Sequence, residues 1–378
     1  MKIAMINMTG GGMSGGYRAY LSNILPRLAG HPQVEAVLCL APVTLPIRDW
    51  LPVLPSVTFG SCAPFRFGRH HPDASLRRLV KQFSPDVIFA PVERYLHFTG
   101  VPFVTMVQNM GPMVAIAGNP IYERLRYVLQ RSEAKYAVRH ASRVIAPTTF
   151  VRSFLVERWK IPTERLSVVH YGSVAKRFPG MMRKPTSIPD EWTGRFIFTA
   201  GSLEPYRGLE DLIEAYSMLD GCHGISGIVI AGEARKTMIP YYNKLRIWMR
   251  RRGIAERILW VGHLDQGAMS WCYQHCRLFS MTSRVESFSI IALEALAHGC
   301  ISVVANNPPL PEIFGSTAHY YTPKDPRDFA RTANAVLSWN HIERQRASQL
   351  AEARAATFSW DTAAGQTVEV FASAMERL

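Results

Sequence analysis

The chain has 378 residues, 43 Lys/Arg against 29 Asp/Glu, and an apolar fraction of 48%. That length suits two or three domains with ample surface to bury, and that composition excludes a disordered or low-complexity protein. No apolar run reaches the ~18–20 residues of a membrane span, and the cysteines at 39, 62, 222, 272, 276 and 300 form neither a disulfide framework nor a paired CxxC zinc site, so the reducing cytosol is the default compartment.

In chain order, residues 2–8 (Lys-Ile-Ala-Met-Ile-Asn-Met) read as a strand, which leaves no room ahead of it for a signal peptide. The run Gly10-Gly11-Gly12-Met13-Ser14-Gly15-Gly16 follows and opens a helix. Glycines at such a turn let the backbone approach a ligand and bind anions through N–H groups. A dinucleotide-binding dehydrogenase would place an acid at the end of the next strand. That end is Leu38-Cys39-Leu40-Ala41-Pro42, so a general glycine loop is the better reading. Further strands are expected at 34–40, 86–90, 102–107, 143–146 and 166–169, with helices at 17–29, 73–83, 121–140 and 148–158. From 173 to 195 the chain carries Pro179, Gly180, Pro185 and Pro189 and few apolar pairs, the composition of a linker.

The alternation then restarts. Strands are expected at 196–200, 227–231, 257–261, 277–281, 300–305 and 318–321, with helices at 208–219, 241–252 and 266–276 and a helical tail from Pro326. The expected organisation is a first domain over 1–175, a linker over 176–195, a second domain over 196–360 and a last helix over 361–378. Two α/β domains of this kind place the natural ligand site in a cleft between them.

Charge is unevenly placed. Residues 1–180 hold 22 Lys/Arg and 9 Asp/Glu, whereas 181–378 hold 21 and 20. An anionic partner of the first half would be nucleic acid or an anionic membrane surface carrying a lipid-linked phosphate; a generally basic, solvated surface accounts for the same numbers. Phe65, Phe67, Tyr127, Phe154 and Trp159 lie near the basic helices and are candidates to penetrate an interface. No recognisable DNA- or RNA-reading motif accompanies the charge.

The most informative residues are Glu286 and Glu294, in Ser283-Arg-Val-Glu286-Ser-Phe-Ser-Ile-Ile-Ala-Leu-Glu294-Ala-Leu-Ala-His-Gly299. Eight positions are about 2.2 helical turns. The flanking apolar runs put Glu286 at the C-terminal end of a parallel strand, where open α/β sheets bind ligands. Two carboxylates beside a helix N-terminus suit a ligand with both hydroxyls and phosphates. Arg207, in Ala200-Gly201-Ser202-Leu203-Glu204-Pro205-Tyr206-Arg207-Gly208, brings a cation to a helix start after the first strand of the second domain.

These runs, with Ile228-Val-Ile-Ala-Gly232-Glu, Ile258-Leu-Trp-Val-Gly262-His, Pro311-Glu312-Ile313 and Phe358-Ser-Trp360, resemble the nucleotide-binding half of family-4 retaining glycosyltransferases of the GT-B fold. Gly11-Gly12, Gln108-Asn109-Met110-Gly111-Pro112 and Val144-Ile-Ala-Pro-Thr148 fit bacterial members that build surface polysaccharide. The resemblance implies two Rossmann-like domains facing a central cleft, with the last helix returning to the first domain. It implies transfer of a hexose-type sugar from GDP-mannose or a UDP-hexose to a glycan or lipid-linked acceptor, with no metal or other cofactor required. Glu286 would meet donor-sugar hydroxyls, Arg207 the departing diphosphate, Glu294 the ribose, and backbone amides at Phe288, Ser289 and Ile290 the phosphates. Gly11, Gly12, Gly15, Gly16, Gly201, Ser202, Gly262, His263 and Ser283 would complete the donor site, with Gln108, Asn109 and His97 on the acceptor side. The family often has Arg at Ser202, Lys at Arg207, Gly at Ser289 and His at Gln108. A nucleotide-sugar epimerase of the same fold and a non-catalytic nucleotide-sugar binder are the alternatives. The partners implied are a nucleotide sugar, the acceptor and an anionic membrane surface, without nucleic acid, and the location is cytoplasmic, with peripheral attachment to the inner face of the cell membrane.

Overall fold

The computed structural model describes residues 1–9, 15–114, 118–173, 182–219 and 224–376. The chain forms two compact units, one of Met1–Val114, Leu125–Gly172 and Phe358–Leu378 and the other of Ala115–Arg124 and Ser173–Thr357.

The first unit is built on a seven-stranded parallel sheet of β1 (Lys2–Ile6), β2 (Ala36–Ala41), β3 (Val57–Ser61), β4 (Val87–Ala90), β5 (Phe103–Met106), β6 (Arg143–Ala146) and β7 (Leu166–Val168), ordered β3-β2-β1-β4-β5-β6-β7. Its central strands read as unbroken apolar runs because helices cover both faces, and Ile3 to Ile6 and Val87 to Ala90 are fully buried. Around the sheet lie α1 (Gly15–Ala29), α2 (Ala74–Phe83), α3 (Gly111–Val114), α4 (Ile121–His140), of which the part from Leu125 on belongs to this unit, and α5 (Thr149–Trp159). The starts of α2 and α5 follow from sequence: Asp73 and Thr148 cap them by accepting from Leu76 N and Val151 N.

The second unit repeats the plan. Its sheet holds β8 (Phe196–Ala200), β9 (Gly227–Ala231), β10 (Ile258–Gly262), β11 (Leu278–Met281), β12 (Ser302–Ala305) and β13 (Ala318–Tyr321), ordered β10-β9-β8-β11-β12-β13 and parallel throughout. Its helices are α6 (Leu209–Tyr216), α7 (Ile239–Arg251), α8 (Gln266–His275), α9 (Ile290–Ala297), α10 (Leu310–Phe314), α11 (Pro326–Leu337) and α12 (His341–Ala356). In each sheet the strand order reverses beside the unit's first strand, at β1/β4 and at β8/β11. Loops leaving the C-terminal ends of two such neighbours diverge to opposite faces and open a crevice.

The last helix, α13 (Trp360–Met375), belongs to the first unit. Phe371 packs on Phe89 with ring centroids 5.1 Å apart, and Arg143 donates to the Ser373 carbonyl at 3.1 Å. Gly172 faces the start of α13, where a Cβ would lie 2.1 Å from Trp360 N.

Four expectations need correction. The sequence reading misses β3, a partly exposed edge strand that follows a proline-rich stretch. The described part of the 176–195 linker is integral to the second unit, because Ile188 and Trp192 are buried there. Residues 118–124, placed in the first domain by sequence, cluster with the second unit; the Glu123 carboxylate is 1% exposed and accepts from Thr237 Oγ1 at 2.8 Å. Tyr127 and Trp159, expected to penetrate an interface, are core residues.

Candidate active site

Two loops frame the β8/β11 switch point. The first runs from Gly201 to Gly208 and contains a short 3₁₀ turn, Pro205–Arg207, ahead of α6. The second runs from Thr282 to Ser289 between β11 and α9. They are laced together: Thr282 Oγ1 donates to the Arg207 carbonyl at 2.7 Å, and the Arg284 amide donates to the Tyr206 carbonyl at 2.7 Å. Below them the Asp211 carboxylate, 3% exposed, accepts from Arg284 Nη2 at 3.0 Å, Tyr321 OH at 3.0 Å and the Lys324 amide at 2.9 Å.

This scaffold brings Arg207 and Glu286 into direct contact. Arg207 Nη1 donates to Glu286 Oε1 and also to Ser283 Oγ at 3.2 Å. The side chains are 15% and 11% exposed, so the pair is largely withdrawn from water. Burial works against the Arg207 charge, but Glu286, Tyr206 and Glu204 outweigh it and hold the guanidinium more firmly protonated than usual. The Tyr206 ring lies 5.3 Å from the guanidinium. Gly201 makes this packing possible, since a Cβ there would sit 3.0 Å from the guanidinium carbon. Arg207 Nε is buried with no hydrogen-bond partner. A small cavity between the strand ends is lined by Gly201, Ser202, Arg207, Thr282 and Ser283. Ser202 Oγ lies 3.4 Å from Tyr206 OH and adds no charge there.

Ser289 caps α9, with Oγ accepting from Ala292 N at 3.3 Å, and does so at φ +85°. That backbone region favours glycine and costs another residue about 1–3 kcal/mol. Phe288 is fully buried, so its side chain is core. Ile290 is the first residue of α9.

Glu294 lies on α9, half-buried, and does not join the Arg207 cluster. Tyr273 of α8 donates to its Oε2 at 2.9 Å. Burial pushes the Glu294 carboxyl up to about 6, with the Tyr273 hydrogen bond pulling the other way. Gly262, at φ +69°, ends β10 and its carbonyl accepts from the Gly232 amide at 2.7 Å; His263 beside it is exposed.

Of the first-unit residues, Gly11 and Gly12 lie outside the described residues, and Gly15 and Gly16 are the exposed first residues of α1. Gln108 is committed internally, its Nε2 donating to the Pro91 carbonyl at 2.8 Å and its amide to Glu93 at 3.1 Å. Asn109 Oδ1 accepts from the Gly111 amide at 2.9 Å at the start of α3. His97 is exposed, with Nδ1 3.4 Å from Tyr95 OH. Sequence reasoning passed over Tyr273, Thr282 and Asp211, whose partners are distant in the chain. Among the described residues no cluster of His, Cys, Asp or Glu is arranged to hold a metal.

Two family models match the chain, "Glycosyltransferase Family 4" over residues 14–173 and "Glycosyl transferases group 1" over residues 185–354. A glycogen synthase of Mycobacterium tuberculosis is 27% identical over 243 residues, 63% of this chain and 56% of that protein. The serotype-specific mannosyltransferase WbdA of Escherichia coli is 26% identical over 246 residues, 64% of this chain but 29% of that longer protein. The chain thus matches about half or less of these relatives' lengths. The Anabaena protein HepE, solved in complex with UDP, superposes with a TM-score of 0.71 over 99% of this chain and 100% of its own, at 19% identity, a likeness of fold.

Two outcomes follow from the local chemistry. Ser289→Gly relieves the positive φ and gives up a cap worth only a few tenths relative to Gly, so urea unfolding finds it within about 0.5 kcal/mol of the parent or more stable. Ser289→Ala keeps the strain, loses the cap and costs about 1 kcal/mol. For Glu294, the folded state retains its proton to about pH 6, whereas an ordinary glutamate releases it near 4.5. Its contribution to stability therefore falls as pH rises from 4.5 to 6, by about 1–2 kcal/mol. Unfolding measured across that window shows this loss in the parent and not in Glu294→Gln.

Proposed function

Because the chain belongs to the family-4 glycosyltransferases of the GT-B type, we propose that it transfers a hexose-type sugar, with retention, from a nucleoside-diphosphate sugar such as GDP-mannose or a UDP-hexose to a glycan or lipid-linked acceptor. The observation that carries this reading is the Arg207–Glu286 pair at the β8/β11 switch point, with the start of α9 directly after it. A donor of this class has a diphosphate to meet cations and N–H groups and a sugar to meet a carboxylate.

Arg207 faces the diphosphate in this reading. Its unpartnered buried Nε is a donor whose lack of an acceptor costs roughly 1–3 kcal/mol, and a phosphate oxygen would supply one. The N-terminal end of α9 adds partial positive charge for the same phosphates. Glu286 accepts from hydroxyls of the transferred sugar, and Glu294, oriented by Tyr273, accepts from the ribose hydroxyls. Bond breaking between the anomeric carbon and the diphosphate oxygen sends the electron pair to that oxygen. The acceptor hydroxyl forms the new bond on the same face, and its proton passes to the departing phosphate. Arg207 stabilises the charge that develops on the leaving group, so the step is assigned no metal or other cofactor.

The UDP bound by HepE and the mannosyltransferase relative WbdA favour a nucleotide-sugar donor and a role in cell-surface polysaccharide or lipopolysaccharide assembly. The acceptor side is assigned to the first unit, through Gln108, Asn109 and His97. The excess of Lys/Arg in residues 1–180 suits a protein working at an anionic membrane surface on the cytoplasmic side. Among the described residues no helix is long and apolar enough to cross a membrane.

Thermal-shift titration with UDP, GDP, ADP and their sugars identifies the donor, because a ligand at a hundred times its Kd adds about 2.7 kcal/mol of stability. With that donor, Glu286→Gln lowers kcat by at least about a hundredfold while the nucleoside diphosphate still binds. Undiminished transfer by the variant from every competent donor overturns the assignment.

A further inference from the structure

Most exposed large apolar residues of this molecule are scattered singly, which is normal for a surface. Helix α4 is different. Over nine residues it exposes Ile121 (76%), Tyr122 (66%), Leu125 (64%), Val128 (54%) and Leu129 (51%). At 3.6 residues per turn these positions fall within about 120° of the helix circumference, one continuous stripe. The opposite face is anchored in protein, with Tyr127, Ala134, Ala137 and Val138 all buried.

Charge on the same helix is segregated. Its only acids, Glu123 and Glu133, are turned inward, 1% and 9% exposed. Glu123 accepts from Thr237, and Glu133 accepts from the Gly68 amide at 2.7 Å and pairs with His70 at 2.9 Å. The exposed side therefore carries apolar residues bordered by cations. Arg124 and Arg131 are exposed and Lys135 half-buried along one edge of the stripe, with Arg126 on the other.

We infer that this face of α4 is the element that lies in an anionic lipid surface, with Leu125, Val128 and Leu129 in the acyl boundary and the flanking Arg and Lys at the phosphate headgroups. An interfacial helix needs this combination of an apolar stripe, basic borders and inward-facing acids. Each juxtamembrane cation adds to attraction for anionic lipid. Nucleic acid would use the cations but leave five apolar side chains without a role. A symmetric pairing with a second copy would bring like-charged borders together with no outward acid on this helix to offset them. The inference deepens the membrane-surface part of the function proposed above and rests on it; it does not depend on which donor is used.

The test is co-sedimentation of the full chain with vesicles of phosphatidylcholine alone and of phosphatidylcholine with phosphatidylglycerol. The parent pellets with the anionic vesicles at low salt and is released at about 1 M salt, where screening falls to about 3 Å. Leu125→Asp/Leu129→Asp lowers partitioning at least about tenfold at low salt, because burying these side chains supplies apolar free energy that charge alone does not. Arg124→Gln/Arg131→Gln/Lys135→Gln also weakens binding and flattens its salt dependence. Both variants keep the parent's unfolding temperature and its nucleotide-induced thermal shift, so loss of lipid binding is distinguished from loss of the donor site. The inference is overturned if the parent ignores anionic vesicles at low salt, or if the Leu125/Leu129 variant pellets as the parent does. It is equally overturned if the parent is a dimer without lipid and that variant a monomer, for then a second copy covers the stripe.

Discussion

The site depends on one buried ion pair, Arg207 with Glu286. Withdrawing two charges from water costs several kcal/mol per ion, and the attraction between them offsets this only where geometry and additional hydrogen bonds are good. Here they are supplied in layers. Ser283 shares the guanidinium, Tyr206 lies against it, Thr282 holds its backbone, and Arg284 with Asp211 fixes the loop opposite. Such an arrangement holds the guanidinium from several sides and leaves donors to spare, because Glu286 engages only part of it. A diphosphate arriving beside it would find a preorganised cation rather than a flexible side chain, and preorganisation is what makes charge stabilisation effective in a transition state.

Much of this was legible in the sequence, and the reason is the regularity of parallel α/β folding. Fully buried strands write themselves as short apolar runs, so 227–231 was bounded as the structure has it. Once β11 was recognised, Glu286 had to leave its C-terminal end, and Arg207 had to leave the end of β8. That these two strands are neighbours is a property of strand order, which local periodicity does not carry, so the direct contact between their loops was not foreseen. Tyr273 and Asp211 escaped notice for the same reason: each acquires meaning only from partners many residues away. The edge strand β3 was lost because none of its residues is fully buried and a proline-rich stretch precedes it.

The departures from the family pattern have local physical accounts. Ser289 adopts the glycine-like backbone expected of its position and uses its hydroxyl to cap α9, so the substitution exchanges backbone ease for a hydrogen bond. Gln108 turns its amide onto the Pro91 carbonyl, which holds the loop after β5. Ser202 leaves Arg207 as the cation of the β8 loop at the strand end. On α4, sequence composition pointed to basic helices and nearby aromatics, but burial sorts them differently: Tyr127 turns inward while Tyr122 and its aliphatic neighbours turn out.

The central claim is that Arg207 and Glu286 act as one unit on the donor. A double-mutant cycle on kcat/KM with the identified donor, using Arg207→Ala, Glu286→Ala and the combination, tests it most directly. Residues that act as a unit are strongly non-additive. The account predicts that the double variant loses little more activity than the worse single variant. Losses that simply multiply would contradict it and leave the two residues as independent neighbours.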